Sequence, residues 1–382
     1  MDSLQTGNET AMNGVTLLAD NCPSYWEAAN GGRHRTQQLH ELLMDSGAAI
    51  EVLRQAPEGA AVRKYLSGLS FMARNGFRHS LSLRALRHYG STVLRMGTRT
   101  IPHDGFRVLV WENTHRNNVA LPTLAQSAGF AVLAVPQNLE ALWETRSARN
   151  LRSKTDAFAD ELTGLRQADA VFCISREEQW LLRNFGIAAD FLPYFPPHAV
   201  HHRMSTVRER RSGARGNFFL ILGSAGNPPT RAGMITLIGI LRALPGGDRI
   251  SLHIAGYGTE SLRAEVAGMK CHLHGGVDQA KLEELLATTR AALIHQNSAT
   301  GALTRIPELI VAGIPIIANP IAARSATHYD GVHTYQAPES LLELLQQALP
   351  QPAIPNRPVD AERRFLNAVT TLAADQPWIG AI

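Results

Sequence analysis

The sequence predicts an α/β protein made of two doubly wound domains, on three observations. Short apolar runs closed by Gly or polar residues alternate with longer runs of helical spacing, the βα rhythm of a parallel sheet. The rhythm is interrupted once, between about Pro196 and Asn217, and then resumes. The length, 382 residues, suits two domains of ordinary size. The expected division is 14–196, then 217–360, with 361–382 holding a last helix that packs back on the first domain.

Composition narrows the class. Hydrophobic residues make up 45% and charged residues 18% of the chain, a balance that excludes a disordered polymer. No run of about 18 apolar residues is present, so no transmembrane helix is expected. Met1–Asn13 is polar and lacks the apolar centre of a secretory signal. Cys22, Cys173 and Cys271 are widely spaced and never paired as CxxC. They argue against a zinc site or a disulfide framework and fit a reducing cytoplasm. No D-x-D follows a strand, and no metal site is expected.

The first half opens with the strand Val15–Ala19, a polar loop, and Gly31-Gly32 ahead of a helix over Arg33–Ser46, where Leu39, Leu42 and Leu43 follow helical spacing. Gly47 stops the helix and Ala49–Leu53 is the next strand. The Gly pair is not the G-x-G-x-x-G of a dinucleotide site. It serves a tight turn or, through Gly32, lets backbone amides approach a ligand at the end of the first strand.

Between Glu58 and Asp104 no acidic residue occurs, while Arg63, Lys64, Arg74, Arg78, Arg84, Arg87, Arg95 and Arg99 are interleaved with Phe71, Met72, Phe77, Leu81, Leu83, Leu86 and Tyr89. This pattern over residues 63–99 predicts one or two basic amphipathic helices. Such a face is either solvated or seated on an anionic membrane surface, where lipid-linked acceptors reside. No nucleic-acid fold signature accompanies the charge, so nucleic acid is not expected as a partner.

Phe106–Trp111 is a strand running into Glu112-Asn113-Thr114-His115, a helix covers Val119–Ala128, and Ala131–Val135 is a strand running into Pro136-Gln137-Asn138-Leu139-Glu140. Polar residues thus gather at the carboxyl ends of successive strands, the edge where open α/β sheets bind ligands. Glu112, His115 and Asn138 are the candidates there for work on an acceptor, and their alternative role is to cap strand ends. A helix near Thr155–Gln167, the strand Ala170–Ile174 and a helix over Glu177–Asn184 follow. Ser175 caps the last of these, with Glu178 placed for a capping box. Phe191–Pro197 reads as irregular, and His198–Gly216 as a polar, basic linker.

In the second half Phe218–Leu222 ends in Gly223-Ser224, and Asn227-Pro-Pro-Thr230 opens a helix to about Leu244. The strand Ile250–Ile254 ends in Ala255-Gly256-Tyr257-Gly258, and Cys271–His274 in Gly275-Gly276. A helix over Asp278–Thr289 and a strand over Ala291–His295 lead to Thr300–Pro320. That stretch combines a Thr300-Gly301 turn, a helix from near Arg305 with Pro307 in its first turn, a stop at Ala312-Gly313 and a buried strand to Ala318. Arg305 and Glu308 share one helical face beside a Gly-containing loop. A guanidinium suits a phosphate and a carboxylate suits a pair of hydroxyls. The alternative is an ion pair on a solvated face. Helices over Leu341–Ala348 and Ala361–Ala373 close the chain.

Two such sheets joined by a linker would face each other across a cleft between their carboxyl edges, and a cleft of that kind suits a two-substrate reaction. An ordered series carries a resemblance: Leu220-Ile-Leu-Gly-Ser224, Ile254-Ala-Gly-Tyr-Gly258, Leu273-His-Gly-Gly-Val277, Ala292-Leu-Ile-His295, Thr300-Gly-Ala-Leu-Thr-Arg-Ile-Pro-Glu308 and Ala312-Gly-Ile-Pro315. It resembles family-4-like glycosyltransferases of the GT-B fold over the whole second half. In the first half Gly31-Gly32, the Glu112 strand end and Ala168–Ser175 match in position.

The resemblance implies two Rossmann-like domains and a cytoplasmic, bacterial enzyme of polysaccharide biosynthesis. It implies a hexosyltransferase that works without a metal and with retention, moving a sugar from a UDP- or GDP-linked donor to a glycan, lipid-linked or protein acceptor. No separate cofactor is implied. Arg305 would face the diphosphate, Glu308 the ribose hydroxyls, and Thr300, Gly301, Gly223, Ser224 and Tyr257 the donor loops, with Arg231 as a second cation. The chain departs from its relatives where many carry a His, since Asn138 stands there with Glu140 nearby. It also carries Ser-Ala-Gly-Asn-Pro-Pro after Gly223, where many relatives carry a second basic residue. A nucleotide-sugar epimerase and a non-catalytic partner subunit of the same fold are the other readings.

Overall fold

The computed structural model describes residues 15–21, 31–53, 61–75, 86–87, 90–91, 93–94, 108–114, 118–127, 129–142, 151–211, 216–298 and 300–374. The chain divides into unit 1, Met1–Pro193 with Pro358–Ile382, and unit 2, Tyr194–Arg357.

Unit 1 runs β1 (Thr16–Ala19), α1 (Gly31–Asp45), β2 (Ala49–Val52), α2 (Ala61–Asn75), β3 (Val108–Trp111), α3 (Leu121–Ser127), β4 (Ala131–Ala134), α4 (Leu151–Arg166), β5 (Ala170–Cys173), α5 (Arg176–Asn184) and β6 (Ala189–Phe191). The strands form one sheet in the order β2-β1-β3-β4-β5-β6, and each adjacent pair is parallel. The central strands VLVW and AVLA are buried at every position, as a sheet covered on both faces requires. Alternate residues serve opposite cores. Leu17, Val108, Val110 and Leu133 meet Leu39, Leu42 and Leu43 of α1. Leu18, Leu109, Trp111 and Val132 meet Leu121, Leu165 and Leu182 of α3, α4 and α5.

Unit 2 runs α6 (His198–Arg211), β7 (Phe219–Leu222), α7 (Pro228–Ala243), β8 (Leu252–Ala255), β9 (Cys271–Gly275), α8 (Gln279–Thr288), β10 (Ala291–Ile294), α9 (Arg305–Val311), β11 (Ile316–Ala318), α10 (Pro320–Ala323), β12 (Val332–Thr334) and α11 (Pro338–Gln346). Its parallel sheet has the order β12-β11-β10-β7-β8-β9. Counted within the unit, this is the 3-2-1-4-5-6 arrangement of doubly wound nucleotide-binding folds. The last helix, α12 (Val359–Ala374), belongs to unit 1. There Phe365 packs edge-to-face on Phe172 of β5, with ring centroids 5.3 Å apart.

Three sequence expectations are corrected here. Residues 198–211 form a helix rather than a linker. Val200, Met204 and Val207 make a single buried stripe at i, i+4, i+7, and the many His and Arg around it hide the periodicity. The three-residue strands β6 and β12 had no place in the sequence reading, in which Phe191 began an irregular stretch. In α2, Lys64 is buried rather than part of a basic face. That side of the helix lies against the segment around 86–90, so closely that a Cβ on Gly68 would sit 2.0 Å from Leu86 O. Of the other cations of 63–99, Arg63, Arg74 and Arg87 are exposed, and Arg78, Arg84, Arg95 and Arg99 lie outside the described residues.

Candidate functional site

In doubly wound sheets ligands bind at the carboxyl edge where strand order reverses. In unit 2 that point lies between β7 and β10, and in unit 1 between β1 and β3.

At the unit 2 point, Arg305 begins α9 and its Nη1 donates to Leu222 O, the last carbonyl of β7, at 2.9 Å. A Cβ on Gly223 would lie 2.7 Å from that nitrogen, so glycine is what lets the guanidinium reach the strand end. The Arg305 Nε is buried and has no hydrogen-bond partner among the described residues. Burial lowers the Arg305 pKa to about 10, with neighbouring Glu308 opposing the shift. The group therefore stays cationic at neutral pH while poorly solvated, which favours an anionic partner. Glu308, one turn on, accepts a hydrogen bond from Tyr194 Oη at 2.7 Å on Oε1.

The glycine loops at the ends of β7, β8 and β9 meet backbone to backbone. Gly223 N donates to Ala255 O at 3.0 Å, Ala225 N to Tyr257 O at 2.8 Å, and Gly256 N to Gly275 O at 2.7 Å. At Gly256, with φ +135°, a Cβ would fall 2.0 Å from Gly223 O. Ser224 Oγ accepts from Gly226 N at 3.2 Å, and the Tyr257 side chain stands out into solvent at 76% exposure. Arg231 turns to Glu265, 3.3 Å away, so its charge already has a partner within unit 2. Thr300 and Gly301 precede α9, and the Gly301 carbonyl accepts from Arg324 Nη2.

At the unit 1 point Glu112 is the centre. It follows β3 and is 1% exposed. Its Oε2 accepts from Thr36 Oγ1 at 2.7 Å and from Gln137 Nε2 at 3.1 Å. Gln137 also bonds Gly32 O at 3.2 Å, tying the start of α1 to the end of β4. The Asp20 carboxylate accepts from Glu112 N and Asn113 N, at 2.8 and 3.1 Å. Glu112 Oε1 is buried without a partner among the described residues. Burial, and after it the charge of Asp20, pushes the Glu112 pKa up to about 7. A carboxyl in that state exchanges a proton near neutral pH, which is what general acid–base work requires.

Asn138 donates from Nδ2 to Glu140 Oε1 at 2.7 Å, and its own Oδ1 is buried without a partner among the described residues. Beside it Glu161 accepts from Thr114 Oγ1, Glu140 N and Ala141 N, and burial raises its pKa to about 7. His115 lies outside the described residues.

The structure thus joins Arg305, Glu308 and Gly223 at one point and Gly32, Glu112 and Asn138 along one edge, while Arg231 is paired with Glu265. The sequence reading missed Tyr194, Thr36, Gln137 and Glu161. Only Gln137 carried a signal, its place just after a strand. Among the described residues no group of three or more His, Cys, Asp or Glu is placed to hold a metal ion.

Two six-stranded parallel sheets, each with its polar edge at a switch point, define the class of architecture: the chain has the GT-B fold. Neither a protein-family model nor a curated protein matches the sequence. Solved structures do match. One is α,α-trehalose-6-phosphate synthase from Burkholderia multivorans, at 10% identity, with 96% of each chain covered and a TM-score of 0.58. Another is sucrose-phosphate synthase from Thermosynechococcus elongatus, at 13% identity, with 94% of this chain and 95% of that one covered and a TM-score of 0.59. A third is the Anabaena protein HepE in complex with UDP-glucose, at 13% identity, with 94% and 98% covered and a TM-score of 0.54. At these identities the likeness is one of fold.

Proposed function

We propose that this protein is a glycosyltransferase that moves a hexose from a nucleoside diphosphate sugar to a hydroxyl of a glycan, lipid-linked or protein acceptor. The observation that carries the reading is Arg305, a cation held at the unit 2 switch point with Nε buried and unpartnered. Cleavage of the sugar–phosphate bond leaves charge on the departing diphosphate, and a fixed guanidinium stabilises that charge as it grows without a metal ion in that role. Glu308, on the same helix face, takes the ribose hydroxyls. Unit 1 takes the acceptor, with Glu112 as the group that receives or returns a proton and Asn138 as a polar contact. The complex of HepE with UDP-glucose makes a UDP-sugar the first donor to try, ahead of a GDP-sugar. Transfer with retention rests on the sequence resemblance alone.

The reading extends to where the acceptor is met. Outward positions of α2 include Val62, Leu66 and Leu69, at 72, 64 and 48% exposure, a line at i, i+4, i+7 flanked by exposed Arg63 and Arg74. With no acidic residue between Glu58 and Asp104, this face complements an anionic bilayer. We infer peripheral contact with a membrane carrying a lipid-linked acceptor, on its cytoplasmic side. Free Cys173 and Cys271 fit that compartment. Among the described residues no helix is long and apolar enough to cross a membrane.

The test is calorimetric titration with UDP and GDP. Wild-type protein should bind at least one of them, and Arg305→Ala should weaken that binding by roughly 2 kcal/mol, about 30-fold, the worth of a charge-assisted contact to phosphate. Absence of binding by the wild type, or equal binding by the variant, removes the assignment.

A further inference from the structure

The short helix α9 is held along its length. At its start Arg305 grips Leu222 O. At its end two arginines of α6 cap the carbonyls: Arg208 donates to Val311 O at 2.8 Å and to Ile310 O at 3.0 Å, and Arg211 donates to Gly313 O at 3.1 Å. Cations at the carboxyl end of a helix offset its dipole and satisfy carbonyls that have no partner within the helix. The backbone under Glu308 is thereby fixed. The aim of the Glu308 side chain is then set by what its carboxylate bonds to.

Tyr194 is one such partner. It is the first residue of unit 2, is 3% exposed, and is followed by Phe195-Pro196-Pro197. Its hydroxyl donates to Glu308 Oε1 at 2.7 Å, a well-formed O–H···O bond. A carboxylate offers about four acceptor positions over two oxygens, so a bond to one oxygen orients the group without filling it. We propose that Tyr194 is a positioning residue of the nucleotide subsite: its hydroxyl aims Glu308 so that the carboxylate accepts from the vicinal hydroxyls of a ribose. The assignment rests on the glycosyltransferase reading above and adds to it the residue that sets ribose recognition.

The experiment measures affinity for a nucleoside diphosphate and for its 2′,3′-dideoxy analogue, using whichever of UDP and GDP the full-length protein binds. Wild type should prefer the ribose form by about tenfold. In Tyr194→Phe, which keeps the buried ring, affinity for the ribose form should drop about fivefold while the dideoxy analogue binds as before. The preference then collapses toward unity, whatever the loss in melting temperature. Glu308→Gln should lose the preference as well, independently of how the Phe variant folds, and the double variant should be no worse than Glu308→Gln alone. A purely structural Tyr194 would weaken both ligands equally or neither. Either result, with wild type binding nucleotide, overturns the role of Tyr194 and leaves the enzyme reading standing. Failure of wild type to bind any nucleoside diphosphate overturns both.

Discussion

Glu112→Gln tests whether the buried carboxyl at the unit 1 switch point is as proton-hungry as its surroundings imply. A rise in pKa from 4.5 to about 7 corresponds to roughly 3 kcal/mol, at about 1.4 kcal/mol per unit. The sign follows from proton counts. Between pH 4.5 and 7 the unfolded chain has released this proton and the folded chain still holds it. Unfolding therefore releases a proton, and stability falls as pH rises through that window. Above about 7 both states are ionised and the loss is complete.

Gln at 112 never ionises. Its oxygen can keep the bonds from Thr36 and Gln137, while its amide replaces the unpartnered Oε1 at a cost of about 1–3 kcal/mol that does not depend on pH. The difference in unfolding free energy, variant minus wild type, should therefore grow by roughly 3 kcal/mol from pH 4.5 to pH 8.5. Glu161, also raised to about 7, is common to both proteins and cancels. The assay is urea unfolding followed by tryptophan fluorescence. All five tryptophans, at positions 26, 111, 143, 180 and 378, lie in the sequence ranges of unit 1, so the signal reports that unit alone. A difference that stays flat with pH would refute the account of Glu112 as a carboxyl kept protonated by burial.

Further outcomes follow from the same geometry. Gly256→Ala should lower the melting temperature of unit 2 by several degrees, since its Cβ would strike Gly223 O at φ +135°. Gly239→Ala, in the middle of α7 with nothing within 4 Å of its Cβ, should instead stabilise by up to about 1 kcal/mol. Both are read by circular dichroism. Leu66→Glu should abolish sedimentation with vesicles containing phosphatidylglycerol, where wild type binds these and ignores neutral phosphatidylcholine vesicles; equal sedimentation of variant and wild type would discard the membrane contact.

Much of the fold was legible because the strands of a covered parallel sheet are continuous apolar runs, and β3, β4, β7 and β10 all show one. Strands of three residues carry too little pattern to register, hence the absence of β6 and β12 from the sequence reading. Helix α6 was hidden for a different reason. Its arginines look like solvent-facing charge, yet Arg208 and Arg211 bond carbonyls 103 and 102 residues away. The site was legible where residues share an element, as Arg305 and Glu308 do. It was illegible where partners are remote: Tyr194 lies 114 residues from Glu308, and Thr36 lies 76 from Glu112.

The glycine-rich loops sharpen the case for Arg305. From the sequence resemblance the loop after β7, with Gly223 and Ser224, was expected to face the donor. In the fold the amides of this loop are already engaged: Gly223 N with Ala255 O, Ala225 N with Tyr257 O, Asn227 N with Ser224 O, and Gly226 N with the Ser224 hydroxyl. Gly256 is needed because strand ends touch there, its would-be Cβ falling on the Gly223 backbone, while a Cβ on Gly223 would crowd the Arg305, Thr230 and Met234 side chains. A loop whose amides bond to protein has few left for an anion, so in the loop after β7 the attraction for an anion falls to side chains. Arg231 is held by Glu265, whereas Arg305 keeps a buried nitrogen unpartnered. If unit 2 binds a diphosphate at its switch point, the energetics therefore concentrate on Arg305, and its removal should cost far more than any single change in the loops around it.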